Sequence, residues 1–228
     1  MAGFRKYIII FILIILSVAA LSRNGIWIND IRLWEDAVKK SPSKTRSYNN
    51  LTGAYMSEGM YEKAIEISRA ASTRDPEAVG PYSNIGVAYL KLRRYDQALH
   101  FFQTALSINP KFPETYGNLA ALHIEIGDYV SAIEAGRKAV DLTPKNKVAY
   151  NNLGLAYASL ERYPEAIKMY RKSLNIDPDY PEAHYNLALT YLSLNMIPYA
   201  ISEHNILRSS NPLLAHYLLH EIRLKAEQ

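Results

Sequence analysis

Apolar and polar positions follow a helical spacing along most of the chain, and the pattern itself returns every 34 residues. Units can be numbered from residues 45, 79, 113, 147 and 181. Position 4 is then Tyr48, Tyr82, Tyr116, Tyr150 and His184, and position 7 is Leu51, Ile85, Leu119, Leu153 and Leu187. Position 11 is Tyr55, Tyr89, His123, Tyr157 and Tyr191. Spacings of three and four set these side chains on one helix face, which predicts a first helix of about fourteen residues in each unit. Position 17, at the turn into a second helix, is Tyr61, Tyr95, Tyr129, Tyr163 and Ile197. Position 8 is small in every unit (Thr52, Gly86, Ala120, Gly154, Ala188), and position 20 is alanine (Ala64, Ala98, Ala132, Ala166, Ala200). We expect these two positions to meet where the helices of a unit approach closely. Pro164 and Pro198 fall in the first turn of the second helix, where the missing N–H does no harm. Proline at position 32 (Pro76, Pro110, Pro144, Pro178, Pro212) closes each unit, with Pro42 one step before the first. A fixed period of this length predicts stacked helix–turn–helix units, an elongated body with a continuous core and an extended binding surface.

The ends differ from the middle. Trp34 and Ala37 stand before Pro42 as Phe102 and Ala105 stand before Pro110, so residues 28–40 predict a lone second helix. The domain reading is a leading segment 1–22, a half-repeat cap 23–44, five units (45–78, 79–112, 113–146, 147–180, 181–212) and a capping helix 213–228. Residues 7–21, YIIIFILIILSVAAL, carry no charge. As a helix they span about 22 Å, short of the usual ~20 residues for a membrane span. Two readings compete: a signal peptide cleaved near Val18–Ala20 or Ala20–Ser22, giving a secreted protein, or a retained anchor. The density of Ile and Leu, with Arg5, Lys6 and Arg23 able to snorkel, favours the anchor. Basic residues ahead of the segment place the N-terminus in the cytoplasm and the repeats on the extracytoplasmic, periplasmic side.

Charge and composition narrow the chemistry. The net charge of +4 is mildly basic, but acidic and basic residues alternate, as in Glu134, Arg137, Lys138 and Asp141. That is the signature of solvated helix faces rather than a nucleic-acid patch. The chain has no cysteine, which excludes disulfides, thiolate metal sites and cysteine nucleophiles. Twelve of its 18 tyrosines lie at positions 4, 11 and 17, so the repeat accounts for them. His216 and His220, with Glu221 beside them, have the spacing of a metal pair but no third ligand. His100, His123, His184 and His204 occupy repeat positions as packing or surface residues, and Glu114 and Glu182 lie too far apart for one acid–base pair. No phosphate loop or nucleophile elbow is present. We expect neither an enzyme nor a cofactor.

The units resemble the tetratricopeptide repeat family. Its pattern is matched by Tyr82, Ile85, Gly86, Tyr89, Ala98, Phe102 and Pro110, and again by Tyr150, Leu153, Gly154, Tyr157, Ala166, Tyr170 and Pro178. The resemblance covers residues 45–212 and implies an all-α fold, a right-handed superhelix (α-solenoid), here led by an N-terminal hydrophobic helix. Ser68, Gly136 and His204 depart from the pattern at position 24. Gly136 inside a helix costs about 1 kcal/mol relative to alanine and should loosen the third unit. A second resemblance runs from Ser22–Arg23–Asn24 through Trp27 and Leu33–Val38 to Lys40–Ser41–Pro42. It is similar to the junction of multi-spanning glycosyltransferase-like membrane proteins whose last membrane helix leads into extracytoplasmic tetratricopeptide repeats.

The family resemblance implies a concave groove lined by the first helices. Position 6, which faces it, is asparagine in all five units: Asn50, Asn84, Asn118, Asn152 and Asn186. Such a row resembles the asparagine ladder of O-linked N-acetylglucosamine transferase, which implies contact with an extended peptide backbone. An amide offers both donor and acceptor to a main chain. The alternative is structural, with each amide tying its helix to a neighbouring unit. The floor is apolar or small at position 9 (Gly53, Val87, Ala121, Leu155, Leu189), which suits an extended segment or an amphipathic helix. The basic clamp that some family members use for a C-terminal carboxylate is missing, since Arg46 stands alone. The leading expectation is a membrane-tethered scaffold that holds a protein or peptide partner in the groove through Asn50, Asn84, Asn118, Asn152, Asn186, Val87, Ala121, Leu155 and Leu189. Two others stand beside it: an accessory subunit of an envelope glycan or glycosyl-transfer system, and homo-oligomeric self-assembly through the array ends.

Overall fold

The computed structural model describes residues 30–226, and residues 7–21, with the anchor expected there, lie outside them. Among the described residues all regular structure is helical, and no helix is long and apolar enough to cross a membrane. The helices are α1 (Asp30–Lys40), α2 (Thr45–Ser57), α3 (Tyr61–Arg74), α4 (Val79–Lys91), α5 (Tyr95–Ile108), α6 (Pro113–Glu125), α7 (Tyr129–Leu142), α8 (Lys147–Ser159), α9 (Tyr163–Ile176), α10 (Pro181–Ser193), α11 (Ile197–Ser210) and α12 (Pro212–Ala226). They fall into two compact units that part between Arg93 and Arg94. The N-terminal unit holds α1–α4 and the C-terminal unit α5–α12.

The first helices are 13 residues long and the second helices 14. Each first helix ends at the same place for the same reason. Position 15 is in the left-handed region in every repeat: Gly59 (φ 70), Arg93 (φ 57), Gly127 (φ 79), Glu161 (φ 58) and Asn195 (φ 57). The next N–H then reaches back to the carbonyl of position 11, as Met60 to Tyr55 and Met196 to Tyr191, both at 2.8 Å. This is the Schellman arrangement that satisfies the last carbonyls of a helix. The periodic proline ends each second helix. The residue before a proline is driven out of the helical region, and Asp75, Asn109, Thr143, Asp177 and Asn211 all leave it, with φ from −135 to −149. Prolines also start α6, α9, α10 and α11, and the side chains of Asp128 and Asn146 cap α7 and α8.

In the N-terminal unit α1 packs on α2, and α2, α3 and α4 pack on one another. Tyr48, Leu51, Tyr55, Ala64 and Ile65 form its interior. The position-8 contact here is polar: Thr52 and Ser68 share a buried hydrogen bond of 2.9 Å. In the C-terminal unit one apolar core runs without interruption from Ala132 to Ile222. Consecutive helices pack, and so do successive first helices: α6 with α8, α8 with α10, and α10 with α12.

Two expectations are corrected. The alanines of position 20 are fully buried, but the nearest neighbour of position 8 in the fourth repeat lies elsewhere. A Cβ on Gly154 would lie 2.5 Å from Cε1 of Tyr170, at position 24. The glycine is therefore the seat of the tyrosine ring. Nor does Gly136 loosen the third repeat. It is buried, and a Cβ there would lie 2.8 Å from Cγ of Leu153. The first helix of the following repeat fills the space that a position-24 aromatic takes elsewhere.

Candidate functional site

The position-6 asparagines lie on the first helix of each repeat, within two separate units. In the N-terminal unit Asn50 lies on α2, and Asn84 and Val87 on α4, all half-buried. In the C-terminal unit Asn118 and Ala121 lie on α6, Asn152 and Leu155 on α8, and Asn186 and Leu189 on α10, again all half-buried. Residues three apart on a helix share a face, so each pair sets one amide beside one apolar group. Because α6, α8 and α10 pack side by side, three such pairs come together within this unit.

One rung shows how the row is held. Asn186 Nδ2 donates to Asn151 Oδ1 at 3.0 Å, across from α10 to α8. Asn151 is only 6% exposed and lies at position 5, beside the row rather than in it. The pattern gave no sign of it, because position 5 is otherwise Asn49, Ser83, Gly117 and Tyr185. The tie uses one N–H of Asn186 and leaves its carbonyl oxygen and second N–H for other partners.

A second periodic contact braces the joints between repeats. Arg69 donates to the Tyr89 hydroxyl at 3.0 Å, Arg137 to Tyr157 at 2.8 Å and Arg171 to Tyr191 at 3.0 Å. Each arginine lies at position 25 and each tyrosine at position 11 of the following repeat. At the N-terminal end Glu35 of α1 takes the arginine's place and accepts from the Tyr55 hydroxyl at 2.7 Å. Burial and the neighbouring carboxylate push the Tyr55 phenol up to about 12. In the remaining joint the same places hold Gln103 and His123. The buried Nδ1 of His123 makes no hydrogen bond, with Asp128 Oδ2 3.5 Å away.

His184, at position 4 where the other repeats carry tyrosine, is 5% exposed. Its Nδ1 lies 2.5 Å from Glu203 Oε2 and its Nε2 2.8 Å from the carbonyl oxygen of Pro178. A carboxylate and a carbonyl facing the two ring nitrogens favour the doubly protonated imidazolium form. The bond to Glu203 is the main cause of its raised pKa, and burial opposes it. This is a packing role, carried out by an ion pair that the residue type alone did not reveal. Among the described residues no three His, Asp or Glu side chains are grouped as for a metal ion.

A helical array whose first helices line up amide and apolar groups defines a class, the repeat scaffolds for protein–protein interaction. Family models give the particular repeat. Tetratricopeptide repeat models match residues 45–77, 81–112, 101–134 and 135–168, and a TPR repeat model matches 156–195. The chain is an array of tetratricopeptide repeats. No curated protein matches it significantly. Among solved structures, the thermophilic TPR protein TTC0263 of Thermus thermophilus is similar at 19% identity, with 81% of this chain and 100% of that one covered and a TM-score of 0.69. PilF of Pseudomonas aeruginosa is similar at 20% identity, with 80% and 87% covered and a TM-score of 0.68. YrrB, described as a TPR protein with an unusual peptide-binding site, is similar at 20% identity, with 81% and 96% covered and a TM-score of 0.57.

Proposed function

We propose that this protein is a membrane-tethered scaffold that holds an extended segment of a protein partner on the first-helix face of its repeats. The observation that carries the reading is the recurrence of asparagine at position 6 in all five repeats, each beside a small or apolar residue at position 9. Amides pair with a peptide main chain without selecting side chains, and apolar neighbours take up alternate side chains. YrrB supports the ligand class, since a protein of similar fold has a peptide-binding site. The tether rests on the uncharged run 7–21 with Arg5 and Lys6 ahead of it, which sets the repeats on the extracytoplasmic side. The junction at Ser22–Pro42 favours a second reading, an accessory subunit of an envelope glycan system, in which the partner is a membrane-bound glycosyl-transfer enzyme.

The test replaces Asn118 and Asn152 together with alanine. Each hydrogen bond contributes about 0.5–1.5 kcal/mol, so partner affinity should fall roughly fivefold to a hundredfold while the melting temperature holds. A purely structural row gives the opposite result, a lower melting temperature with affinity per folded molecule unchanged. The tether is tested by alkaline carbonate extraction of membranes, which should leave the full-length chain in the pellet.

A further inference from the structure

We propose that the outward face of the C-terminal helix α12 is an interface for a second copy of this chain, with the two α12 helices packed antiparallel about a two-fold axis. The inference goes beyond the groove reading and does not depend on it. Helix α12 is buried on one side through Ala215, Leu218 and Ile222. Its opposite side carries Leu213, Tyr217, His220 and Leu224, in steps of four, three and four. That is the spacing of a coiled-coil seam, and it lies open. Leu213 is 63% exposed, Tyr217 53% and Leu224 45%, with His220 exposed between them. Elsewhere such places are filled. In the 34-residue frame Tyr217 and Leu224 stand at positions 3 and 10, which are buried in all five repeats, as Thr115 and Leu122 are in the third. No described helix follows α12 to bury them.

The seam is its own complement. A two-fold axis crossing the helix pair between residues 218 and 219 sets residue i against residue j and j against i. Leu213 then faces Leu224 of the second copy at both ends of the seam, and Tyr217 faces His220 twice in the middle. No Asp, Glu, Lys or Arg stands on the seam. On one flank Arg223 meets His216, and on the other Glu221 meets Leu214, so no carboxylate faces a carboxylate and no arginine an arginine. A foreign partner needs no such symmetry in this face; a second copy does. The antiparallel sense also opposes the two helix dipoles, whereas a parallel pair would align them and stack Tyr217 on Tyr217 and His220 on His220. Helix α12 has 15 residues, about 22 Å. One helix pair of that length is small for a stable interface, so the dimer is a reversible one that forms at micromolar concentrations.

The chain has no cysteine, so engineered ones report the pairing without background. Full-length Leu213→Cys and Leu224→Cys, in detergent, are treated with a short bis-maleimide separately and as an equimolar mixture, with melting curves to confirm that both are folded. In an antiparallel pair two cysteines at the same position lie at least about 16 Å apart along the seam, beyond the reagent, whereas one at 213 and one at 224 are neighbours. Cross-linked dimer should therefore form in the mixture and in neither variant alone. In sedimentation of the full-length protein, the wild type should dimerise with rising concentration. Tyr217→Glu, which would bury a charge twice per dimer, should raise the dissociation constant at least about tenfold with the melting temperature of the monomer unchanged. Cross-linking within each variant alone means a parallel pair. A wild type that stays monomeric and does not cross-link in the mixture means that this face takes a different partner or none. Either result overturns the proposal, as does a dimer that Tyr217→Glu leaves as tight as before.

Discussion

Alanine at position 154 should destabilise the protein, although alanine is the better helix former. Gly154 lies inside α8, where Gly→Ala on an open surface would add about 1 kcal/mol of stability. Here the new Cβ would lie 2.5, 2.6 and 2.9 Å from Cε1, Cδ1 and Cζ of Tyr170. Ordinary carbon contacts are about 3.5–4.0 Å, so the ring must move by roughly an ångström. Tyr170 is 1% exposed and sits inside the continuous core, which leaves nowhere for it to go without displacing neighbours. Overpacking of this kind costs about 1–3 kcal/mol, and the severity of the clash puts it at the upper end. After the helix-propensity gain, the net loss is about 1–2 kcal/mol, a fall of roughly 2–8 °C in melting temperature. Gly117→Ala is the control, because nothing lies within 4 Å of a Cβ there. The same substitution should then raise stability by about 1 kcal/mol, and the difference between the two variants isolates the ring contact. In a cycle with Tyr170→Leu, the double variant should lose less than the sum of the singles. A melting temperature for Gly154→Ala equal to or above that of the wild type would refute the seat assigned to Tyr170.

Two further predictions concern single residues. The raised pKa of His184 means that its contribution is fully present below the unfolded value near 6.5 and is lost as pH rises through the folded value. Urea midpoints should therefore fall over that window, with Glu203 and Asp179 as the facing carboxylates, and Glu203→Gln should flatten the slope; a wild-type midpoint that does not change between neutral and mildly alkaline pH would sink the assignment. Glu161→Gly relieves a left-handed residue at φ 58, a conformation that costs a side-chain-bearing residue about 1–2 kcal/mol. After the entropy lost to glycine it should raise stability by about 0.5–1 kcal/mol, read by thermal melting, and a lower melting temperature would refute the strain.

The fold was legible because its determinants are local and periodic. Proline at position 32 acts on the residue before it, and five non-helical residues from Asp75 to Asn211 follow directly. The left-handed turn at position 15 was legible only in part. Gly59 and Gly127 announce it and Asn195 is compatible with it, whereas Arg93 and Glu161 adopt the same conformation with no residue type to signal it. What the pattern could not give was pairing between repeats. Position 24 varies through Ser68, Phe102, Gly136, Tyr170 and His204, and its meaning depends on what faces it. Gly136 read alone is a weak helix residue; beside Leu153 it is the space that residue needs. The candidate site shares this limit. The asparagine row repeats and was visible, while Asn151, which holds one rung of it, stands at a position that otherwise varies through Asn49, Ser83, Gly117 and Tyr185.

The tie between Asn186 and Asn151 also bears on whether the row is structural or ligand-binding, because the two roles need not compete. An amide with free rotors loses about 0.5–1.5 kcal/mol of side-chain entropy when a partner immobilises it. An amide already fixed by a buried neighbour loses little. Asn151 is 6% exposed and its Oδ1 holds one N–H of Asn186, which fixes the direction of the remaining carbonyl oxygen and second N–H. On this reading the structural bond is what orders the rung for a main chain, and Asn151 is a positioning residue. Asn151→Ala then separates the roles. If Asn186 serves only to join α8 to α10, removing its acceptor should lower stability and leave affinity alone. If the tie orders a binding rung, the same variant should also weaken partner binding at temperatures where the protein is fully folded, although Asn151 itself is buried away from the ligand. Unchanged affinity in the folded variant would remove Asn186 from the binding surface and leave Asn118 and Asn152 to carry it.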